Sequence, residues 1–342
     1  MILLDAKGIA VEYGNVFNTS GARNIDGSGW RHHKVVPGLR WEGSTFVART
    51  VTADENMGNM PMKQDGLTPR ELFPRCIKAY FGIPATLNAV GLSNPGLEAV
   101  LDMGSWQSRT DPFGISLMAI NPDLERRFDE LKLCRDLLGP RLGEFKAPFF
   151  IQLNVSCGNT QIGQRSHFIV ETVRSCEILS DLGRPILPKI NVFAEPDQVA
   201  IVDQHPDCAG FVDSNAIRWD DLAMIGIDVR NVFGTEVSPL KAFGGGALSG
   251  PLLHTPVCNH IRRLRDAGVS KPIIKEGGTL TAKQTDEAMG AGADAVGLGC
   301  VGILRPWSVA DVIEESNLVV AQHLACRMNM GSGLWPINQA TI

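Results

Sequence analysis

Residues 271–300 read KPIIKEGGTLTAKQTDEAMGAGADAVGLGC, and this stretch decides how the rest of the chain is read. An apolar run, Pro272–Gly278, ends in paired glycines. A stretch with helical spacing, Thr281–Ala291, follows it, and a second apolar run, Ala295–Cys300, ends in Gly299-Cys300. Strand, helix and strand within about 30 residues form one βαβ unit, which sets the two strands parallel. Glycines between each strand end and the next helix offer backbone N–H groups and the positive end of a helix dipole. That arrangement suits a phosphate.

The same alternation extends toward the N-terminus. Apolar, β-branched runs occur at Val16–Ser20, Phe46–Thr52, Gly114–Ile120, Phe149–Ser156, Ile186–Val192 and Gly210–Asn215. Helical spacing recurs at Pro122–Leu138, Ser166–Leu182, Pro196–His205, Pro251–Ala267 and Pro306–Cys326. Eight strands alternating with helices predict an α/β chain folded as a (β/α)₈ TIM barrel, with an open doubly wound sheet as the competing topology. The chain is predicted to be a single domain over residues 1–342. Two stretches, 53–111 and 220–249, are too long for simple connections and are predicted to be insertions at the C-terminal mouth of the barrel. A C-terminal extension is expected from about 327 to 342.

Composition narrows the function classes. Charged residues make up 20% and the net charge is −5, a balance that speaks for a globular enzyme and against a nucleic-acid or anionic-membrane surface. No run approaches the ~20 apolar residues that span a bilayer, and the N-terminus lacks a secretion pattern, so a cytoplasmic protein is expected. The eight cysteines contain no CxxC pair. Neither they nor the histidines show ligand spacing, and no metal is expected.

In a barrel the chemistry sits at the C-terminal ends of the strands. Here those ends carry Ser20-Gly21, Arg49-Thr50, Asn154, Ser156-Cys157, Lys189, Asn215, Gly277-Gly278 and Gly299-Cys300, a polar and cationic set on apolar strands. Cys157 opens a polar loop, where a thiol near pKa 8.5 can serve as a base once its thiolate is stabilised. Lys189 lies within an apolar strand, and a buried ammonium there needs a partner or an electron-rich ligand. Arg49 poses the same question. Ser249-Gly250 ahead of the Pro251 helix is placed to touch a phosphate or ribityl chain. On these residues alone, a non-redox phosphate-binding barrel such as a lyase or isomerase stays open.

Several motifs together resemble one family. Asn154-Val155-Ser156-Cys157-Gly158-Asn159-Thr160 is similar to the NxSCPN loop of dihydroorotate dehydrogenases that use a cysteine base. Phe17-Asn18-Thr19-Ser20-Gly21 resembles their first flavin segment, and Asn88-Ala89-Val90-Gly91-Leu92-Ser93-Asn94-Pro95-Gly96 their substrate loop. Gly58-Asn59-Met60-Pro61 resembles the GNPxPR insertion. Leu187-Pro188-Lys189-Ile190 resembles the flavin-lysine strand, and Val212-Asp213-Ser214-Asn215 the strand bearing a substrate asparagine. Ala247–Gly250 and Gly277-Gly278 are similar to the two late glycine segments.

The resemblance implies FMN as cofactor and a dihydroorotate-like substrate. Cys157 would be the base and Lys189 would stand against the flavin. Substrate contacts would come from Arg49, Asn88, Val90, Gly91, Leu92, Asn154, Asn159 and Asn215. Flavin contacts would come from Thr19, Ser20, Gly21, Arg49, Thr50, Asn88, Asn154, Lys189, Ser214, Ser249, Gly250, Gly277, Gly278, Gly299 and Cys300. It further implies a soluble homodimer with fumarate as electron acceptor. Three positions depart from the family: Gly158 replaces a proline, Ala216 a hydroxyl residue, and Arg49 a lysine. They leave open a different dihydropyrimidine, cyclic amide or enone as substrate.

Overall fold

The structure is a computed structural model and describes residues 1–5, 8–156 and 167–331. Thirteen strands are present among them. In chain order they are β1 (Ile2–Leu4), β2 (Ala10–Glu12), β3 (Val16–Asn18), β4 (Ile77–Tyr80), β5 (Ala85–Asn88), β6 (Phe113–Leu117) and β7 (Phe149–Asn154). Then follow β8 (Ile186–Ile190), β9 (Phe211–Asp213), β10 (Ile217–Arg218), β11 (Ala247–Ser249), β12 (Ile273–Lys275) and β13 (Ala295–Leu298). Seven of them form one parallel sheet in the order β3-β13-β12-β9-β8-β7-β6.

Residues 45–51 close that sheet. They pair parallel with β3 through Thr45 and Phe17, and with β6 through Val47 and Gly114, then Val51 and Leu117. The N–H groups of Thr45, Ala48 and Val51 donate to the carbonyls of Val16, Gly114 and Ser116 at 2.8, 2.9 and 2.9 Å. Eight parallel segments therefore return on themselves as the predicted (β/α)₈ barrel. The closing segment makes bridges rather than a continuous strand because Arg49 N–H leaves the ladder and donates to Asn24 at 3.0 Å.

Period-two alternation separates the two faces of each strand. Phe17, Val47, Phe150, Leu187, Val212, Ile274 and Ala295 point inward and pack together. β6 contributes Gly114 at this level, where a Cβ would lie 2.5 Å from the Phe150 ring. The antiparallel pair β1–β2 brings Met1, Leu3 and Tyr13 to the same cluster and plugs the N-terminal end of the barrel. The alternate residues Ile115, Phe149, Ile151 and Leu153 face outward onto Leu131, Cys134, Cys176 and Leu179 of the helices Leu124–Leu138 and Phe168–Ser180. Each such buried side chain contributes roughly 1.5–3 kcal/mol, so the apolar lining fixes which residues are left to face the mouth.

The helices follow the predicted spacing with shorter starts. Asp123 and Thr281 stand just outside their helices as caps, accepting from Arg126 N and Gln284 N. Pro251 opens a short 3₁₀ turn ahead of the helix His254–Asp266. The last helix, Val309–Gly331, runs past Cys326, so the expected C-terminal extension begins as helix. Residues beyond it lie outside those described.

The two insertions are joined. β10, β11, β5 and β4 form one antiparallel sheet in that order, with Ala247 opposite Asn88 and Ser249 opposite Thr86. Within this sheet β10 starts at Ile217, ahead of residue 220.

Candidate active site

The inward face of each strand, continued two residues at a time, builds the wall of a cleft at the C-terminal mouth. Phe17 leads to Thr19, Phe150 to Gln152 and Asn154, Leu187 to Lys189, Ile274 to Glu276, and Ala295 to Gly297 and Gly299. All of these except Gln152 line the cleft. It holds about 1450 Å³ of empty space, counting its open mouth.

One side of the cleft is a network of amides and hydroxyls. Asn215 Nδ2 donates to Asn154 Oδ1 at 2.7 Å and to Ser156 Oγ at 3.3 Å, and Ser156 Oγ donates to the Lys189 carbonyl at 2.8 Å. Thr50 Oγ1 lies 2.9 Å from Ser116 Oγ and 3.1 Å from Ser20 Oγ. Linking the ends of β7, β8 and β9, these bonds hold Asn154 and Asn215 as a fixed pair.

Two cations face the cleft and differ in their surroundings. Lys189 Nζ donates to Glu276 Oε2 at 2.5 Å, with both side chains buried, while Glu276 Oε1 has no partner among the described residues. Arg49 is buried, yet Nε, Nη1 and Nη2 all lack a hydrogen-bond partner among the described residues. Its guanidinium stands 5.4 Å from the ring centre of Trp30, which donates from Nε1 to the Gly21 carbonyl at 2.9 Å. Burial lowers the Arg49 pKa to about 10, with Asp26 acting in the opposite sense. An arginine left charged, stacked and without a hydrogen-bond acceptor is a site for an anionic or carbonyl oxygen.

The far end is lined by Gly277, Gly278, Thr279, Gly299 and Cys300. Gly278 has φ +87°, and a Cβ there would fall 2.8 Å from His254 N and 2.9 Å from the Gly250 carbonyl. The turn therefore presses its backbone directly on the start of the preceding helix, His254–Asp266. Cys300 Sγ lies 3.2 Å from Thr86 Oγ1, and burial raises its pKa, which keeps it a neutral thiol.

The mouth loop is clamped from the first insertion. Asn59 donates from N to the Val90 carbonyl at 2.8 Å and from Nδ2 to the Ala89 carbonyl at 2.7 Å. Asn56 and Asn94 exchange backbone bonds at 3.0 and 2.8 Å. Gly58 (φ +50°) sits where a Cβ would meet Ser93 Oγ and the Val90 carbonyl. This packing presents Asn88, Val90, Gly91 and Leu92 to the cleft.

Residues 42–319 match the family model described as dihydroorotate dehydrogenase. The chain belongs to the dihydroorotate dehydrogenase family. It is 28% identical over 282 residues to the dihydroorotate dehydrogenase B (NAD(+)) catalytic subunit of Listeria monocytogenes, covering 80% of each chain. The corresponding Streptococcus pneumoniae subunit is 27% identical over 279 residues, covering 76% of this chain and 79% of the relative. In fold, the chain resembles a DHODH from Eimeria tenella solved with ferulenol, with a TM-score of 0.64 at 16% identity. That match covers 97% of this chain and 85% of the other. Membership of this dehydrogenase family makes the protein an oxidoreductase acting on CH–CH bonds and sets aside the lyase or isomerase reading.

Of the residues singled out in the sequence, the cleft brings together Thr19, Ser20, Gly21, Arg49, Thr50, Asn88, Val90, Gly91, Leu92, Asn154, Lys189, Ser214, Asn215, Ser249, Gly277, Gly278, Gly299 and Cys300. Gly250 is set just behind the wall, its carbonyl against Gly278. Cys157 and Asn159 lie outside the described residues. Of the departures from the dehydrogenase pattern, Arg49 and Ala216 both face the cleft. Sequence reasoning missed Trp30 and His33, which line the same wall as Arg49, and it gave Glu276 no role. A charged residue directly before the paired glycines was the available signal for Glu276.

Proposed function

We propose that this family member oxidises (S)-dihydroorotate to orotate with FMN as cofactor. The observation that carries the reading is the convergence of Arg49, Asn88, Asn154, Lys189 and Asn215 on one cleft in a chain of this family. The residues fit FMN. The glycine turn at Gly277-Gly278, crowded against a helix start where a Cβ would clash, is a cradle for the phosphate, and Lys189 is a fixed cation for the flavin ring. When bound, FMN supplies a hydride acceptor.

The protein's own residues bind and orient the substrate and handle its proton. Asn154 and Asn215, fixed to each other, present amide edges that match the alternating donors and acceptors of a pyrimidine ring, and Asn88 joins them from the start of the mouth loop. Arg49 meets the substrate carboxylate through a guanidinium that has no protein acceptor. Cys157 takes the proton from C5 as hydride leaves C6. Trp30 and the clamped 88–92 loop exclude water from the ring.

For the electrons leaving the flavin, fumarate in a homodimer competes with NAD(+), the acceptor named for the Listeria and Streptococcus relatives, which are catalytic subunits. That naming favours NAD(+) and a second subunit. Among the described residues no helix is long and apolar enough to cross a membrane.

An anaerobic visible spectrum before and after dihydroorotate tests the reading. A flavin band near ~450 nm that bleaches on mixing supports cofactor and substrate together. A band that persists with dihydroorotate but bleaches with another dihydropyrimidine, cyclic amide or enone moves the substrate. Protein that takes up no FMN refutes the reading.

A further inference from the structure

β12 ends in Lys275, a lysine with no solvent exposure. Ile274 faces the barrel interior, so Lys275 points the other way, beneath the helices His254–Asp266 and Ala282–Gly290. Its Nζ donates to Thr279 Oγ1 at 2.9 Å and to His254 Nδ1 at 3.0 Å. Because Nδ1 accepts from the ammonium, His254 carries its proton on Nε2 and donates it to Glu287 Oε2 at 2.7 Å. No carboxylate lies within ion-pairing distance of Lys275 among the described residues. Burial lowers its pKa to about 8, while Cys258, Asp213 and Glu287 act to raise it.

A buried ammonium without a carboxylate partner is costly unless another anion approaches. Thr279 marks the direction. Its oxygen accepts from Lys275, so its own hydroxyl proton is left for a different acceptor, and Thr279 lines the cleft beside Gly277 and Gly278. The pair thus links a buried cation to the end of the cleft that the glycine turn shapes for a phosphate.

We propose that Thr279 donates its hydroxyl to a dianionic phosphomonoester bound at this end. Lys275 is the positioning residue that turns the hydroxyl outward and supplies the buried charge the phosphate neutralises. The inference rests on the flavin reading above and assigns recognition of the cofactor's phosphate to residues that reading did not use. His254 and Glu287 complete the chain to the surface and hold Lys275 in place from the other side.

Titration of apoprotein with FMN and with riboflavin, followed by flavin fluorescence, tests it, since the two ligands differ only in the phosphate. Wild-type protein is expected to prefer FMN. Thr279→Val and Lys275→Met should each cut that preference on the order of tenfold or more with riboflavin affinity unchanged, and Thr279→Ser should restore it. If Lys275→Met does not fold, the Thr279 pair carries the test. An unchanged FMN-to-riboflavin ratio in Thr279→Val overturns this inference alone. Wild-type protein that binds neither flavin overturns the flavin reading and this inference together.

Discussion

Lys189 and Glu276 meet across the barrel mouth as a buried ion pair, Nζ to Oε2 at 2.5 Å, with the second carboxylate oxygen unpartnered among the described residues. The cation that the flavin reading places against the ring is therefore already engaged. A carboxylate that shares it reduces what the lysine can offer to an anionic reduced flavin.

Glu276→Gln should accordingly raise the flavin midpoint potential. Loss of a charge-assisted partner worth about 1–3 kcal/mol corresponds to roughly 20–60 mV for a two-electron couple. Lys189→Met should move the potential down and also cost stability, about 3–5 kcal/mol, because it strands Glu276 as a buried, unpaired charge. A dye-equilibration titration of the three proteins reads the potentials, and a potential in Glu276→Gln at or below wild type would count against the shared-lysine account.

Arg49→Ala should weaken use of dihydroorotate far more than use of dihydrouracil, which has the same ring without the carboxylate. A hydrogen-bonded charged partner is worth about 1.5–3 kcal/mol, or roughly 10- to 150-fold in kcat/KM. Arg49→Lys should recover part of it, since an ammonium keeps the charge but not the forked geometry. Equal losses for both substrates would place Arg49 away from the carboxylate.

Cys157→Ala should abolish substrate oxidation while leaving flavin bound, because a base is needed for the C5 proton and not for cofactor uptake. Mixing the oxidised variant with dihydroorotate and following the flavin band provides the check. Bleaching at the wild-type rate would remove Cys157 from the mechanism.

His260 and Asp213 make a second buried pair, Nδ1 to Oδ2 at 2.7 Å with neither exposed, and His260 Nε2 faces the Ala194 carbonyl at 2.8 Å. With an acceptor at both ring nitrogens, the imidazole carries both protons. Burial works to lower its pKa from 6.5, but Asp213 and the two hydrogen bonds outweigh burial and raise it. A folded pKa above the unfolded one adds stability that is complete below pH ~6.5 and fades as pH climbs through the raised value. Urea denaturation across that interval should show His260→Gln with a flatter pH dependence than wild type, and parallel curves would contradict the assignment.

The eight barrel segments were legible because each is buried on both faces and so reads as a short apolar run ending in polar or glycine residues. The cleft residues could be picked out by the same contrast. What escaped was non-local or very short. β5 and β11 pair although residues 85–88 and 247–249 are far apart in the chain, and neither is long enough to announce itself. The first strand of the β1–β2 hairpin buries Leu3 and exposes Ile2 and Leu4, and because all three are apolar no alternation shows in the sequence. Glu276 looked like a flanking charge because its partner, Lys189, sits on a different strand.

The sheet that ties the two insertions has a consequence for exchanging parts among related barrels. The central pairing, β11 against β5, draws one strand from each insertion and carries Asn88 on its edge of the cleft. A chimaera that imports residues 77–88 alone would set a foreign strand against β11 and risk exposing unpaired edge groups. Importing residues 77–88 together with 217–249 transfers the ladder whole. Retargeting this scaffold to a new ring is thus a two-segment transplant, in which the donor sequences must come from one parent.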